Sequence, residues 1–223
     1  MEKGYVLSFA QLKMLASSQG FDGVVGLPEC SAAINSEELP LLVNGLLGAG
    51  LVEATGNAFA CSPAAAEIGR RIGGADSYII FRSNKSSLPD FCCYPGEELM
   101  LCTPSVVQKD RASVRFADFD ELTSLLTDEG YCPNQSEILE LNEQELEAFE
   151  KRSCDPESSV PLLADGSIAF SAERVSVDDE AARYVRIVSF YFYRYILECR
   201  FGEKIRKRYS LTELKNALKG LIS

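Results

Sequence analysis

Hydrophobic and polar positions alternate with two different periods along the chain, and the switch between them divides it. Leu12 and Leu15 fall on one helical face with Phe9, behind Ser8, which with Gln11 three residues later makes a capping box; Leu7 is placed to staple against Leu12. A second helix is predicted from Ser36, with Glu37 and Glu38 in its first turn and Leu39, Leu42, Val43, Leu46 and Leu47 as its apolar positions, ending at Gly48 and Gly50. Leu51-Val52-Glu53 and Ala58-Phe59-Ala60 flank Thr55-Gly56-Asn57 and read as a short hairpin. Ser62 and Pro63 then open an Ala-rich helix that stops at Gly73-Gly74.

From Asp76 the pattern becomes that of strands: Tyr78–Phe81, Phe91–Tyr94, Glu98–Cys102 and Ala112–Phe116, with turn signals at Pro95-Gly96 and Lys109-Asp110. A helix follows from Asp118 to about Leu126, and another is predicted after Asn142, carrying Leu146 and Phe149. Residues 153–166 hold Pro156, Pro161 and Gly166 and are the linker candidate. Beyond it come short strands over Ser167–Val177, an aromatic β-favouring run over Tyr184–Phe201, a turn at Gly202-Glu203, a strand over Lys204–Tyr209 and a closing helix over Ser210–Ile222. The expected fold class is therefore α+β. A helical module over 1–75, winged-helix-like in its order, precedes an antiparallel sheet made of two echoing sheet-plus-helix halves, 76–152 and 167–223, which together form one compact unit.

Composition narrows the chemistry. Among 223 residues there is no histidine and no tryptophan. Without imidazole, Ser-His-Asp and Cys-His catalysis and His-ligated metals are excluded. No phosphate-loop or dinucleotide-binding glycine pattern occurs. The eight cysteines include no C-x-x-C pair, so neither a zinc ribbon nor a thioredoxin-like motif is supported. The adjacent Cys92-Cys93 lies in a β-favouring run and is read as buried, inert thiol. No cofactor and no enzymatic activity are expected. The N-terminus enters a capped helix without an apolar signal segment, and no apolar run is long enough to cross a bilayer, so the reading is cytoplasmic with reduced thiols.

Charge adds a direction. The formal net charge is −11, which repels a phosphate backbone on average. Residues 118–157 hold thirteen acids against Lys151 and Arg152, whereas residues 194–219 are basic. The segment from Ser36 to Gly50 has no Lys or Arg to meet DNA, so the N-terminal module reads as a packing or protein-contact unit. Arg194, Lys204, Arg206, Lys207, Arg208 and Tyr209 are the candidate partner-binding surface. In the strand that contains them, Arg206 and Arg208 share one face while Lys207 and Tyr209 share the other. A partner protein of complementary charge, or self-association into a homo-oligomer through opposite patches, is the leading expectation. The alternative is single-stranded nucleic-acid binding by aromatic and basic strands, or a transcription-related winged-helix role.

A resemblance sharpens that expectation. A strand feeding a capped helix at Tyr5-Val6-Leu7-Ser8-Phe9-Ala10-Gln11-Leu12 is followed by a second helix ending in Gly50-Leu51-Val52, a hairpin, an Ala-rich helix over Ser62–Ile72, and two strand-rich halves closed by a helix. This order resembles the EspG-like family of type VII (ESX) secretion chaperones. The resemblance implies a cytosolic, chaperone-like protein without enzymatic activity that binds a helical secretion substrate.

Overall fold

A computed structural model of the chain describes residues 4–27, 30, 34–56, 58–132, 166–176, 183–190, 193–201 and 203–223. Its elements are β1 (Gly4–Ser8), α1 (Phe9–Ser18), α2 (Leu39–Gly48), β2 (Val52–Thr55), β3 (Ala58–Cys61), α3 (Pro63–Gly74), β4 (Ser77–Ser83), β5 (Phe91–Tyr94), β6 (Leu99–Pro104), β7 (Arg111–Ala117), α4 (Phe119–Asp128), β8 (Gly166–Ser176), β9 (Arg183–Phe190), β10 (Tyr193–Arg200), β11 (Glu203–Arg208) and α5 (Leu211–Ile222). The fold is α+β, as the sequence predicts. β2 and β3 form a separate hairpin, and the other nine strands run in the order β1-β7-β6-β5-β4-β8-β9-β10-β11. Among the described residues no helix is long and apolar enough to cross a membrane.

The described residues gather into two compact units. The first contains β1 to β3, α1 to α3, β5 to β7, and the 77–81 and 174–176 portions of β4 and β8. Its core is Leu7, Leu12, Leu15 and Ala16 from the start of the chain, Ala65, Ile68 and Ile72 from α3, and Cys92, Tyr94, Met100, Cys102, Ala112 and Val114 from the sheet. The predicted capping box forms: the Gln11 backbone N–H donates to Ser8 Oγ (3.2 Å) and the Ser8 N–H donates to Gln11 Oε1 (2.9 Å). Ser62 caps α3 in the same way, accepting from the Ala65 N–H, with Pro63 at the first helical position.

The pairing of α1 with α3 depends on one missing side chain. A Cβ on Gly69 would collide with the Leu15 carbonyl of α1, so only glycine permits the two backbones to approach this closely. Arg71, two residues further along α3, is 8% exposed. Its guanidinium donates to the Tyr94 carbonyl (3.3 Å), the Glu98 carbonyl and the Glu67 carboxylate, and lies over the Phe116 ring. One buried cation thus ties α3 to both sides of the β5–β6 turn.

Two details differ from the sequence expectation. α2 begins at Leu39 rather than near Ser36, because the Asn35 side chain accepts the Glu37 N–H in a local turn and Pro40, which has no N–H, fits the first turn that follows. The short strands expected over 167–177 are a single strand, β8. The helix predicted after Asn142 and all of the linker candidate before Gly166 lie outside the described residues.

Cys92 and Cys93 point to opposite faces of β5 and are both buried. Burial, with a contribution from Cys92, pushes the Cys93 thiol up to about 12, so it stays protonated and unreactive.

Replacing Gly69 by Ala is expected to destabilise the protein by about 1–3 kcal/mol through the clash with α1. Gly48→Ala, where a Cβ meets nothing within 4 Å, is expected to be stabilising by about 0.5–1 kcal/mol. Urea titration of both variants against the parent checks the difference in sign.

Candidate functional site

The second unit contains residues Arg82–Leu88, α4 from residue 123, β8 up to residue 173, β9 to β11 and α5. In its sheet, Leu197 on β10 lies opposite Arg186 on β9 and Arg206 on β11. Tyr195 lies opposite Val188 and Arg208, and Cys199 opposite Tyr184 and Lys204. Directly opposed residues share a face. Lys204, Arg206 and Arg208 therefore stand in one row beside Tyr195, Leu197, Arg186 and Tyr184. Lys204 and Arg208 are exposed and Arg206 is half-buried.

The alternate positions take the other face, where α5 packs. Val185, Ile187 and Ile196 are buried there with Leu214, Ala217, Leu218 and Leu221 of α5. Glu198 shares this face and is 1% exposed. Its carboxylate takes Lys207 Nζ at 2.9 Å and Arg200 at 3.0 Å, and Lys207 reaches on to Glu213 of α5 at 3.4 Å. The hydrogen bond to Glu198 holds the Lys207 ammonium above the usual lysine range, partly offset by burial.

The six sequence-predicted site residues thus separate into two groups. Lys204, Arg206 and Arg208 form one surface. Lys207 belongs instead to the ion network beneath α5, and Arg194, opposite Ser189, has the same face parity as Ile196. Tyr209 is 1% exposed, a core residue whose N–H donates to the Arg194 carbonyl (3.3 Å), so it does not belong to a contact surface. The correction has a simple cause: alternation along a strand sends half of a basic run inward once a helix covers one face.

Three residues that the sequence reading passed over complete the outer surface. Glu173 of β8 accepts from Arg186 at 2.7 Å and from Arg82 at 2.9 Å. The Arg186 guanidinium sits 4.0 Å over the Tyr184 ring. Burial would raise the Glu173 carboxyl, but the hydrogen bonds and charges of Arg186 and Arg82 outweigh it and hold the group below the ordinary carboxylate range. Burial raises Tyr195, so its phenol stays neutral and serves as a donor and a flat apolar surface. The face offers cations, aromatic rings and one carboxylate already engaged by two arginines.

Pockets offer less. The groove between α4 and α5, lined by Thr123, Leu126, Leu214 and Leu218 among others, encloses about 120 Å³. Ligand clefts usually measure about 300–1,000 Å³. Among the described residues no three His, Cys, Asp or Glu side chains are grouped to hold a metal ion.

No family model matches this sequence, and no curated protein does. A solved structure does match in fold: the Mycobacterium tuberculosis type VII secretion system chaperone EspG5, determined in complex with a PE25–PPE41 dimer. The match covers 98% of this chain and 95% of that one, with a TM-score of 0.56 and 10% sequence identity. The likeness is one of fold. It extends over nearly the whole of both chains, so the α+β arrangement described above is shared as a complete architecture and not as a common fragment.

Two measurements check the electrostatics of this unit. Because Glu173 is depressed when folded, its contribution to stability is present above the unfolded value of 4.5 and lost as pH falls through the folded one. A Glu173→Gln variant should therefore be less stable than the parent at neutral pH and converge with it as pH falls toward about 3, seen in denaturant midpoints. Lys207→Met leaves the buried Glu198 with Arg200 alone and is expected to cost about 1–3 kcal/mol. Adding Glu198→Met should recover part of that loss, and a double-mutant cycle by thermal unfolding reads the coupling.

Proposed function

We propose that this chain is a non-enzymatic, chaperone-like protein that binds another protein, a helical secretion substrate, through the outward face of β9–β11. The fold likeness to a secretion chaperone over the whole chain carries this reading. That neighbour was solved with a PE25–PPE41 dimer bound, which makes a protein partner the natural occupant here too. The exposed Lys204 and Arg208 and the half-buried Arg206 supply charge for steering and registering such a partner, while Tyr184, Tyr195 and Leu197 supply contact area of low entropic cost. A place in the cytoplasm, where such a chaperone meets its substrate before export, belongs to the same reading.

The N-terminal module fits the reading as a packing and contact unit. Its helix–helix–hairpin–helix order is winged-helix-like, yet between Lys13 and Arg70 the chain has no cation. Phosphates would find nothing there to neutralise them. The absence of imidazole and the high-lying Cys93 thiol favour binding over catalysis as the activity.

The test captures proteins from the native cytosol with the tagged chain and with a Lys204→Glu, Arg206→Glu, Arg208→Glu variant, each with and without nuclease, and identifies what is retained by mass spectrometry. A helical exported protein that survives nuclease and falls by about tenfold or more on the variant is the expected result. Loss of all bound material on nuclease treatment would assign the face to nucleic acid. Equal retention of the same protein by the variant would remove the face from the interface.

A further inference from the structure

The two outer strands of the sheet are unlike. β11 carries Lys204, Arg206, Lys207 and Arg208, the charges by which an edge avoids unwanted pairing. β1, last in the order on the other side among the described residues, is Gly4-Tyr5-Val6-Leu7-Ser8 and carries no charge at all.

The hydrogen bonding shows which backbone groups of β1 face away from β7. The Phe9 N–H donates to the Asp110 carbonyl at 2.9 Å, and the register continues through Ser8 opposite Arg111 and Leu7 opposite Ala112 to Gly4 opposite Arg115. In an antiparallel ladder inward and outward groups alternate. Tyr5 and Leu7 therefore bond to β7, whereas Gly4, Val6 and Ser8 turn their backbones outward. Two observations agree: the Ser8 N–H is taken by Gln11, and the Arg111 carbonyl accepts from the Ser105 N–H on the β6 side.

Side chains on the same register make the open edge selective. Val6 is 59% exposed. On its face, Gly4 and Ser8 are small, and behind them on β7 stand Arg115 and Arg111, neither of which has an ion-pair partner among the described residues. Neighbouring strands lie about 4.8 Å apart, so a long guanidinium meets an acidic side chain on an added strand by reaching over Gly4 or Ser8.

We propose that β1 is a strand-addition site for an extended segment of another protein in which an apolar residue lies between two acidic residues at alternate positions, the apolar side chain on Val6 and the carboxylates on Arg111 and Arg115. Main-chain bonds to Gly4 and Val6 supply affinity, and the three side-chain contacts supply register. A second copy of this chain is the poorer occupant. Antiparallel pairing of β1 with itself about Val6 sets Gly4 opposite Ser8 of the copy and directs Arg115 and Arg111 toward each other across these small residues, like charge against like. This site lies in the first unit and does not rest on the function proposed above.

The probe is a fluorescein-labelled heptapeptide, Thr-Glu-Thr-Val-Thr-Glu-Thr, compared with its analogue in which both Glu are Lys, by fluorescence anisotropy on the full chain. The net charge of −11 opposes the acidic peptide, so general electrostatics predicts the reverse preference. Expected is saturable binding of the acidic peptide, about tenfold tighter than its Lys analogue. Val6→Pro removes an outward N–H that β7 does not use; it should leave the thermal midpoint near that of the parent and abolish binding. Arg111→Glu with Arg115→Glu should invert the preference between the two peptides, and this swap decides the matter if the proline variant is unstable. Equal affinity for both peptides, no saturable binding, undiminished binding by a folded Val6→Pro variant, or a charge-reversed variant that keeps the acidic preference would each overturn the proposal.

Discussion

The alternation of side chains across β9, β10 and β11 governs the second unit, because a strand cannot present all of its residues to one environment. Once α5 lies on the face of Val185, Ile187 and Ile196, every second residue of the basic run must either be apolar or bring a partner with it. Ile205 meets the first condition. Lys207 meets the second, through Glu198 beneath it and Glu213 on the helix. A buried ion pair of this kind adds little net stability compared with an apolar pair, but it penalises any slip of register that would separate its members. The same alternation that turns the half-buried Lys207 toward Glu198 and α5 places Lys204, Arg206 and Arg208 together on the opposite face.

In the first unit a single cation does comparable work by a different route. Arg71 is surrounded by backbone carbonyls and has one carboxylate, Glu67, held below its ordinary range by Arg70 and Arg71 against the opposing effect of burial. Its guanidinium spans the strands on either side of the β5–β6 turn and stacks on Phe116. One guanidinium nitrogen, Nη1, meets both the Tyr94 and Glu98 carbonyls while Nε turns to Glu67, so a lysine, whose donors share one nitrogen, would lack the separate donor that reaches the carboxylate. Helix packing and turn conformation are thereby coupled, and the tight α1–α3 contact permitted by Gly69 places Arg71 where it can reach both carbonyls.

Local signals were legible in the sequence and long-range ones were not. The Ser8–Gln11 capping box, the Ser62-Pro63 helix start and the strands over 77–83, 91–94, 99–104 and 111–117 follow from short patterns whose partners lie within a few residues. The separation of Arg206 and Arg208 from Lys207 also follows from the period of two. Which of those faces is covered does not, since that depends on α5 folding back from beyond the strand, and this is why the buried Tyr209 was grouped with a contact surface and why Arg194 and Lys207 stand on the opposite face from Lys204, Arg206 and Arg208. Arg71 was invisible for a related reason: arginine is ordinarily exposed, and its partners lie 23 and 27 residues away. Glu173, Arg186 and Arg82 come from three strands, and no local pattern announces such a cluster, although charges at alternate positions of β-favouring runs are the signal to look for. The start of α2 was displaced by Asn35 and Pro40, both of which mark turns when read together.

Two surfaces of the described residues offer contrasting recognition chemistry. Cys92, Cys93, Cys102, Cys132 and Cys199 are buried, whereas the charges of β11 and the outward backbone groups of β1 lie at the ends of their units' strands. The two kinds of recognition make different demands on a partner. A broad basic and aromatic face rewards a folded surface of complementary charge, because its affinity comes from area and from excluded water. An uncharged strand edge rewards an extended segment, because its affinity comes from main-chain bonds that a folded partner has already used.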